Sequence, residues 1–154
     1  MYREVTNFLQ ARAIAITGFS RDPNSFSRIL YKAMLDRGFV VYPVNQCLTE
    51  IDGIKTYPSM TDVPSDVEAV YILNKEETSL RLAKEAAEKG ITSIWIHVKC
   101  NTAKAKEIER EYGISMIMGE CFFMWAEPVV GFHKFHRFIR TLFGGRKALS
   151  PQKN

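Results

Sequence analysis

Nowhere in this chain do about 18 apolar residues follow one another, so no segment is suited to cross a membrane as a helix. The start, Met1-Tyr-Arg-Glu-Val-Thr6, carries an early acid with no apolar run behind it, which speaks against a secretion leader. A soluble, cytoplasmic protein is the expectation. Cysteine is scarce: Cys47, Cys100 and Cys121 are odd in number, far apart and without a C-x-x-C pair, so neither a disulfide framework nor a zinc knuckle is suggested. Free thiols in a reducing compartment follow. Repeats and low-complexity stretches are missing as well. Acid is missing from the C-terminal end, where Lys134, Arg137, Arg140, Arg146, Lys147 and Lys153 lie after Glu127, the last carboxylate. The formal charge of +4 is therefore a property of the tail, because the remainder holds 15 of the 21 basic residues against 17 acids. With no interleaving of aromatic and basic residues in an RNA-binding signature, a nucleic-acid partner is not expected.

What is present is a regular alternation of short β-rich runs and longer helical patterns, in a chain of 154 residues and 46% hydrophobic content. That suffices for one domain burying about two-thirds of its unfolded surface. Strands are predicted at about Arg12–Thr17, Phe39–Val44, Glu68–Leu73, Ser93–Val98 and Ser115–Met118, with a short edge strand near Lys55–Pro58 after a turn at Gly53. Pro43 is placed at a strand end, where no ladder donor is missed. Helices are predicted over Arg3–Gln10 and from Phe26 to the stop at Gly38, with Phe26, Ile29, Leu30, Ala33 and Met34 on one face. Further helices are predicted over Glu76–Lys89, closed by Gly90, and from Asn101 or Thr102 to Tyr112; a small helical turn falls near Met60–Val63. This alternation predicts an α/β protein with a Rossmann-like, doubly wound parallel sheet in three α/β/α layers, most simply in the order 3-2-1-4-5-6. After residue 130, an added C-terminal amphipathic helix over 131–154 sets Phe132, Phe135, Phe138, Ile139, Leu142 and Phe143 on one side and basic residues on the other. Its apolar face packs on the same domain or meets a second copy in a homodimer; its basic face is solvated or docks an acidic protein partner.

Chemistry concentrates in Ala13-Ile-Ala-Ile-Thr-Gly-Phe-Ser20, a strand that opens through one glycine into the helix beginning near Ser25. Backbone N–H groups and the positive helix end converge there, which suits a phosphate. A G-x-G-x-x-G fingerprint is lacking: only Gly18 is present, Ser20 takes the second position, and the second strand ends in Val44-Asn45-Gln46 without the acid that holds a ribose. The expected ligand is nucleotide-like and richer in charge than NAD, met by Ser20, Arg21 and Arg28. In a doubly wound sheet this loop faces the one from Leu73 to Glu76. Ser20 has no histidine and acid at triad-like positions, and His133 and His136 lack a third ligand at suitable spacing, so neither a catalytic group nor a metal site is assigned. His97 is taken to cap its strand.

Four segments together, Ile14–Ser20, Tyr42-Pro-Val-Asn45, Lys55-Thr-Tyr-Pro-Ser59 before Val67–Val70, and Gly119-Glu-Cys121, resemble the small single-domain CoA-binding proteins. That family is similar to the CoA-binding domain of the succinyl-CoA synthetase alpha subunit. The resemblance spans roughly residues 11 to 122. It implies coenzyme A or an acyl-CoA as the ligand along the C-terminal sheet edge, with Gly18, Phe19, Ser20 and Arg21 around the phosphates. Asn45 and Gln46 would lie near the nucleotide, and Ile72, Leu73, Asn74 and Lys75 would border the other wall. Phe19 is larger than the residue usual there and would either stack on the ligand or obstruct the groove. Tyr57 shapes the edge loop or contacts the adenine. Cys121 matches the family's cysteine: either it lies near the pantetheine thiol and exchanges disulfides with it, or it is a buried, inert thiol. The synthetase's phosphorylated histidine belongs to a further domain, so ligase activity is not implied. The expectation is a non-catalytic carrier, sensor or buffer of CoA, with an NAD(P)-type redox regulator or enzyme, or an interaction protein using the C-terminal helix, as alternatives.

Overall fold

The computed structural model describes residues 2–100 and 102–126. In chain order they form α1 (Tyr2–Leu9), β1 (Ala13–Thr17), α2 (Phe26–Asp36), β2 (Val40–Val44), β3 (Glu50–Ile51), β4 (Ile54–Lys55), β5 (Ala69–Ile72), α3 (Glu76–Glu88), β6 (Ser93–Ile96), α4 (Thr102–Tyr112), β7 (Ser115–Met118) and a 3₁₀ turn at Phe122–Met124. The expected helix over 131–154, with His133 and His136, lies outside the described residues. Among those described, no helix is long and apolar enough to cross a membrane.

Five strands form one parallel sheet in the order β2-β1-β5-β6-β7, with Ile16 level with Pro43 on one side and Tyr71 on the other. This is the doubly wound arrangement expected, but the predicted strand order needs correction, because Lys55–Pro58 does not extend the sheet as a further strand. Asp52 and Gly53 both adopt left-handed conformations (φ 50° and 77°) and close a separate two-stranded hairpin of β3 and β4. Thr56 N–H then bonds Thr49 O, which leaves a single bridge from Tyr57 to Val44 before Pro58, which has no N–H to donate. Met60–Val63 likewise is a turn, closed by Asp62 N–H on Ser59 O. Pro43 is tolerated because its carbonyl faces the open edge, toward Tyr57 N–H, so its missing donor falls outside the main ladder.

The period-two alternation of the strands decides the layers. Ile14, Ile16, Ala69, Tyr71, Trp95 and Ile117 face α1 and α2, where they bury Phe8, Leu30, Ala33 and Met34. Ala15, Val70, Ile72, Ile94, Ile96 and Met116 face α3 and α4, against Leu80, Ala83, Ala86 and Ile108. Both faces are covered, as a parallel sheet requires. On the first face Phe8, Tyr71, Trp95 and Phe122 are fully buried and meet largely edge to face, at centroid separations of 5.1–6.2 Å. Each such side chain contributes about 2–3 kcal/mol by burial, so the C-terminal end of the sheet stands on a rigid aromatic base.

Candidate functional site

Strands β1 and β5 send their connections to opposite faces, and the crevice between their C-terminal ends is where such sheets hold ligands. Gly18 turns the chain there at φ 74°, and a Cβ on it would lie 3.3 Å from Leu73 C and 3.2 Å from Asn74 Oδ1. The approach of the two loops thus depends on glycine. Thr17, 1% exposed, donates its hydroxyl to Asn74 Oδ1 at 2.7 Å, and Ser79 Oγ holds the Asn74 carbonyl at 2.7 Å. The two loops that the sequence predicts to face each other are joined by these bonds.

The first loop is held by its own polar groups. Phe19 N–H bonds Val44 O (3.3 Å), Ser20 N–H bonds the buried Ser27 Oγ (3.0 Å), Asp22 N–H bonds Ser20 Oγ (3.1 Å) and Asn24 N–H bonds Asp22 Oδ1 (2.9 Å). Ser20, expected as a phosphate donor, spends its amide and one hydroxyl lone pair on loop structure and keeps its O–H proton for other use. Ser25 caps α2 by accepting from Arg28 N–H. The amides of Phe26 and Ser27, at the first two helical positions, have no acceptor among the described residues. Two donors and the positive end of an eleven-residue helix therefore remain at the loop.

Phe19 is 1% exposed, its ring 5.2 Å from Tyr31 and beneath the Arg28 guanidinium, also at 5.2 Å. Both neighbours belong to α2, so the side chain is part of the interior. Arg28 donates to Ser20 O (3.3 Å) and Asp52 Oδ2 (2.8 Å), tying the loop and the β3–β4 hairpin to α2; its charge is already paired. Arg21 and Lys75 are exposed, and no acid among the described residues pairs with either. Asn45 is a clamp: Nδ2 donates to Phe19 O (2.8 Å), while Oδ1 accepts from Cys47 N–H (2.8 Å) and Leu48 N–H (2.9 Å). Gln46 is exposed. Tyr57 is half-buried, 5.9 Å from the Tyr42 ring and 5.0 Å from Lys55 Nζ. Ile72 is wholly buried under α3, whereas Leu73 and Asn74 are half-buried at the crevice.

At the far end of the same edge, Gly119 (φ 70°) carries the chain from β7 to Cys121. Trp95 Nε1 anchors Glu120 O at 2.9 Å, and Phe122 N–H bonds the Tyr71 hydroxyl at 3.3 Å. His97 does not merely end its strand: Nδ1 lies 3.0 Å from the Tyr71 hydroxyl and its ring 4.8 Å from Phe26. Burial lowers the His97 pKa and raises that of the Cys121 thiol. A raised thiol pKa shrinks the thiolate fraction at neutral pH and restores it as pH rises. Iodoacetamide should accordingly modify exposed Cys47 well before Cys121 at pH about 7.5, and the lag should shorten toward alkaline pH. Peptide mass spectrometry with time checks this; equal rates at neutral pH would contradict the assigned burial.

The contributions of Thr17, Ser27, Asp52 and Ser79 escape sequence reading. Only Asp52 carried a signal, as the first residue of an Asp-Gly turn. A cleft of about 290 Å³ also opens at the opposite sheet edge, lined by Arg3, Glu4, Asn7, Thr92, Gly113 and Ser115 among others. It lies at the N-terminal strand ends, away from the switch point, and none of the predicted site residues lines it.

Comparison with known proteins identifies the family of the domain. A family model described as a CoA binding domain matches residues 12–126. The uncharacterized Bacillus subtilis protein YneT is 28% identical over 119 residues, covering 77% of this chain and 88% of that one. The alpha subunit of an ADP-forming acetate–CoA ligase from Pyrococcus furiosus is 28% identical over 125 residues, 74% of this chain, but the match spans only 27% of the subunit. A solved conserved hypothetical protein from Pyrococcus furiosus superposes with a TM-score of 0.63 at 33% identity, covering 75% of this chain and 99% of that one.

Proposed function

Since the chain belongs to the CoA-binding domain family, we propose that it binds coenzyme A or an acyl-CoA as a carrier, sensor or buffer, without itself catalysing a reaction. The observation that carries this reading is the Gly18 bend beside the unengaged Phe26 and Ser27 amides, at the switch point of the sheet. The diphosphate sits on those amides, with the Ser20 hydroxyl as a further donor and Arg21 and Lys75 as cations. Arg28 acts indirectly, by holding the loop through Ser20 O and Asp52. The nucleotide lies toward Gln46 and Tyr57, over the clamp made by Asn45. The pantetheine arm runs past Leu73 and Asn74 toward Cys121, whose raised pKa favours the inert thiol over disulfide exchange at neutral pH.

The ligase subunit that shares this domain is several times longer than the matched region, and ligation is a property of that whole protein. Among the described residues no nucleophile and base pair at the crevice: the Ser20 hydroxyl accepts from Asp22 N–H and His97 faces Tyr71. The test is a thermal-shift and calorimetric titration of the whole chain with CoA, dephospho-CoA, acetyl-CoA, NAD and NADP. Ligand at 100 times its Kd stabilises by about 2.7 kcal/mol, or about 5–10 °C for a domain of this size. CoA and acetyl-CoA should give that shift, dephospho-CoA less, and NAD none. A shift with NAD or NADP and none with CoA would replace this reading with the dinucleotide one.

A further inference from the structure

The cation at the far end of the edge, Lys99, is assigned no part by the site described so far. It follows β6 in the connection to α4, and its side chain lies flat across Gly119. A Cβ on residue 119 would collide with Lys99 Cγ and stand 3.2 Å from Cε, so the glycine is the floor on which the lysine stem rests. The floor is fixed from below: Gly119 N–H bonds Ile96 O (3.0 Å), and the next carbonyl is held by Trp95 Nε1. Lys99 is exposed and forms no ion pair with an acid among the described residues. Glu120, which follows Gly119 in the chain, accepts from Trp125 Nε1 at 3.4 Å. Burial holds the pKa of His97, another basic group at this end, below its usual value. Lys99 thus brings a positive charge to this end, its stem resting on Gly119, two residues along the chain from Cys121.

From β1 to β7 the sheet edge spans three strand spacings, about 14 Å. An extended pantetheine arm rooted in a diphosphate at Gly18 crosses that span and delivers its thiol, or the acyl group on it, to Gly119–Cys121. We propose that Lys99 is a specificity-determining residue that selects CoA thioesters whose acyl group ends in a carboxylate. This inference rests on the CoA-binding reading above and narrows its ligand class. An ammonium on a restrained stem forms a charge-assisted hydrogen bond with such a carboxylate, which an acetyl group cannot offer. No bond to the ligand is made or broken.

The experiment titrates CoA, acetyl-CoA and succinyl-CoA into the wild-type chain, Lys99→Met and Lys99→Arg by calorimetry at fixed salt. The wild type should bind succinyl-CoA about fivefold to tenfold more tightly than acetyl-CoA, a preference expected of one partly exposed charged pair. Lys99→Met should erase that ratio while leaving the affinity for CoA itself within about twofold, and Lys99→Arg should keep most of it. A ratio near one in the wild type, or one that survives in Lys99→Met, overturns the assignment while CoA binding stands. Absence of binding by CoA and both thioesters overturns the parent reading and this one together.

Discussion

Replacing Gly18 with valine should weaken the proposed CoA binding strongly and lower stability. The native φ of 74° costs a residue with a Cβ about 1–2 kcal/mol, more for a β-branched one, and the added atoms run into Leu73 and Asn74 at 3.2–3.3 Å. Relief requires the two loops to part, which breaks the Thr17–Asn74 bond and leaves the buried Thr17 hydroxyl without its partner. The expected result is a stability loss of about 2–4 kcal/mol in urea unfolding, with CoA affinity reduced by more than about thirtyfold. Gly18→Ala should show the same loss at a smaller size. If Gly18→Val keeps wild-type affinity, the diphosphate is not held at this bend.

The second large effect is expected at Asn45. Its side chain makes three hydrogen bonds to backbone groups, one of them to the carbonyl of Phe19 within the loop itself. Alanine at this position removes all three and costs about 2–3 kcal/mol, since the orphaned groups are partly shielded from water. CoA affinity should fall at least tenfold, because the loop carbonyl is no longer fastened and the loop must be ordered by the ligand. Asn45→Asp separates the parts: its oxygens still accept from Cys47 and Leu48, but no donor remains for Phe19 O. It should recover about half of the lost stability while binding stays weak. Exposed Gln46, changed to alanine, should leave stability unmoved. A wild-type affinity in both Asn45 variants would make the residue a support for the β2–β3 connection alone.

These effects trace the division between what could be read along the chain and what could not. Gly18 was legible because a lone glycine between a strand pattern and a helix pattern has few reasons to be there. The meeting of its loop with Leu73–Asn74 was legible from topology, since right-handed crossovers leave few arrangements for alternating strands and helices. Asn45 was read as a ligand neighbour, and its clamping role was not, because the position of its partner Phe19 depends on how β2 ends beside the loop. Arg28 shows the same limit: its count as a phosphate cation holds only until Asp52, from a hairpin 24 residues on, arrives to pair with it. The extra sheet strand was wrongly expected because Lys55-Thr-Tyr-Pro58 has β-forming residues, while the Asp52-Gly53 turn commits the preceding residues to a local antiparallel pair.

The sequence by itself determined the kind of protein this is. Hydrophobic period, helix stops and the spacing of four motifs dictate a doubly wound α/β domain with a phosphate-compatible first turn, because those properties are local and add along the chain. Only the tertiary structure decided which polar groups remain available to a ligand. Hydrogen bonding and charge pairing are settled by partners that folding brings in from distant segments: Ser27 takes the Ser20 amide, Asp52 takes Arg28, and Gly119 seats Lys99, which pairs with no acid among the described residues.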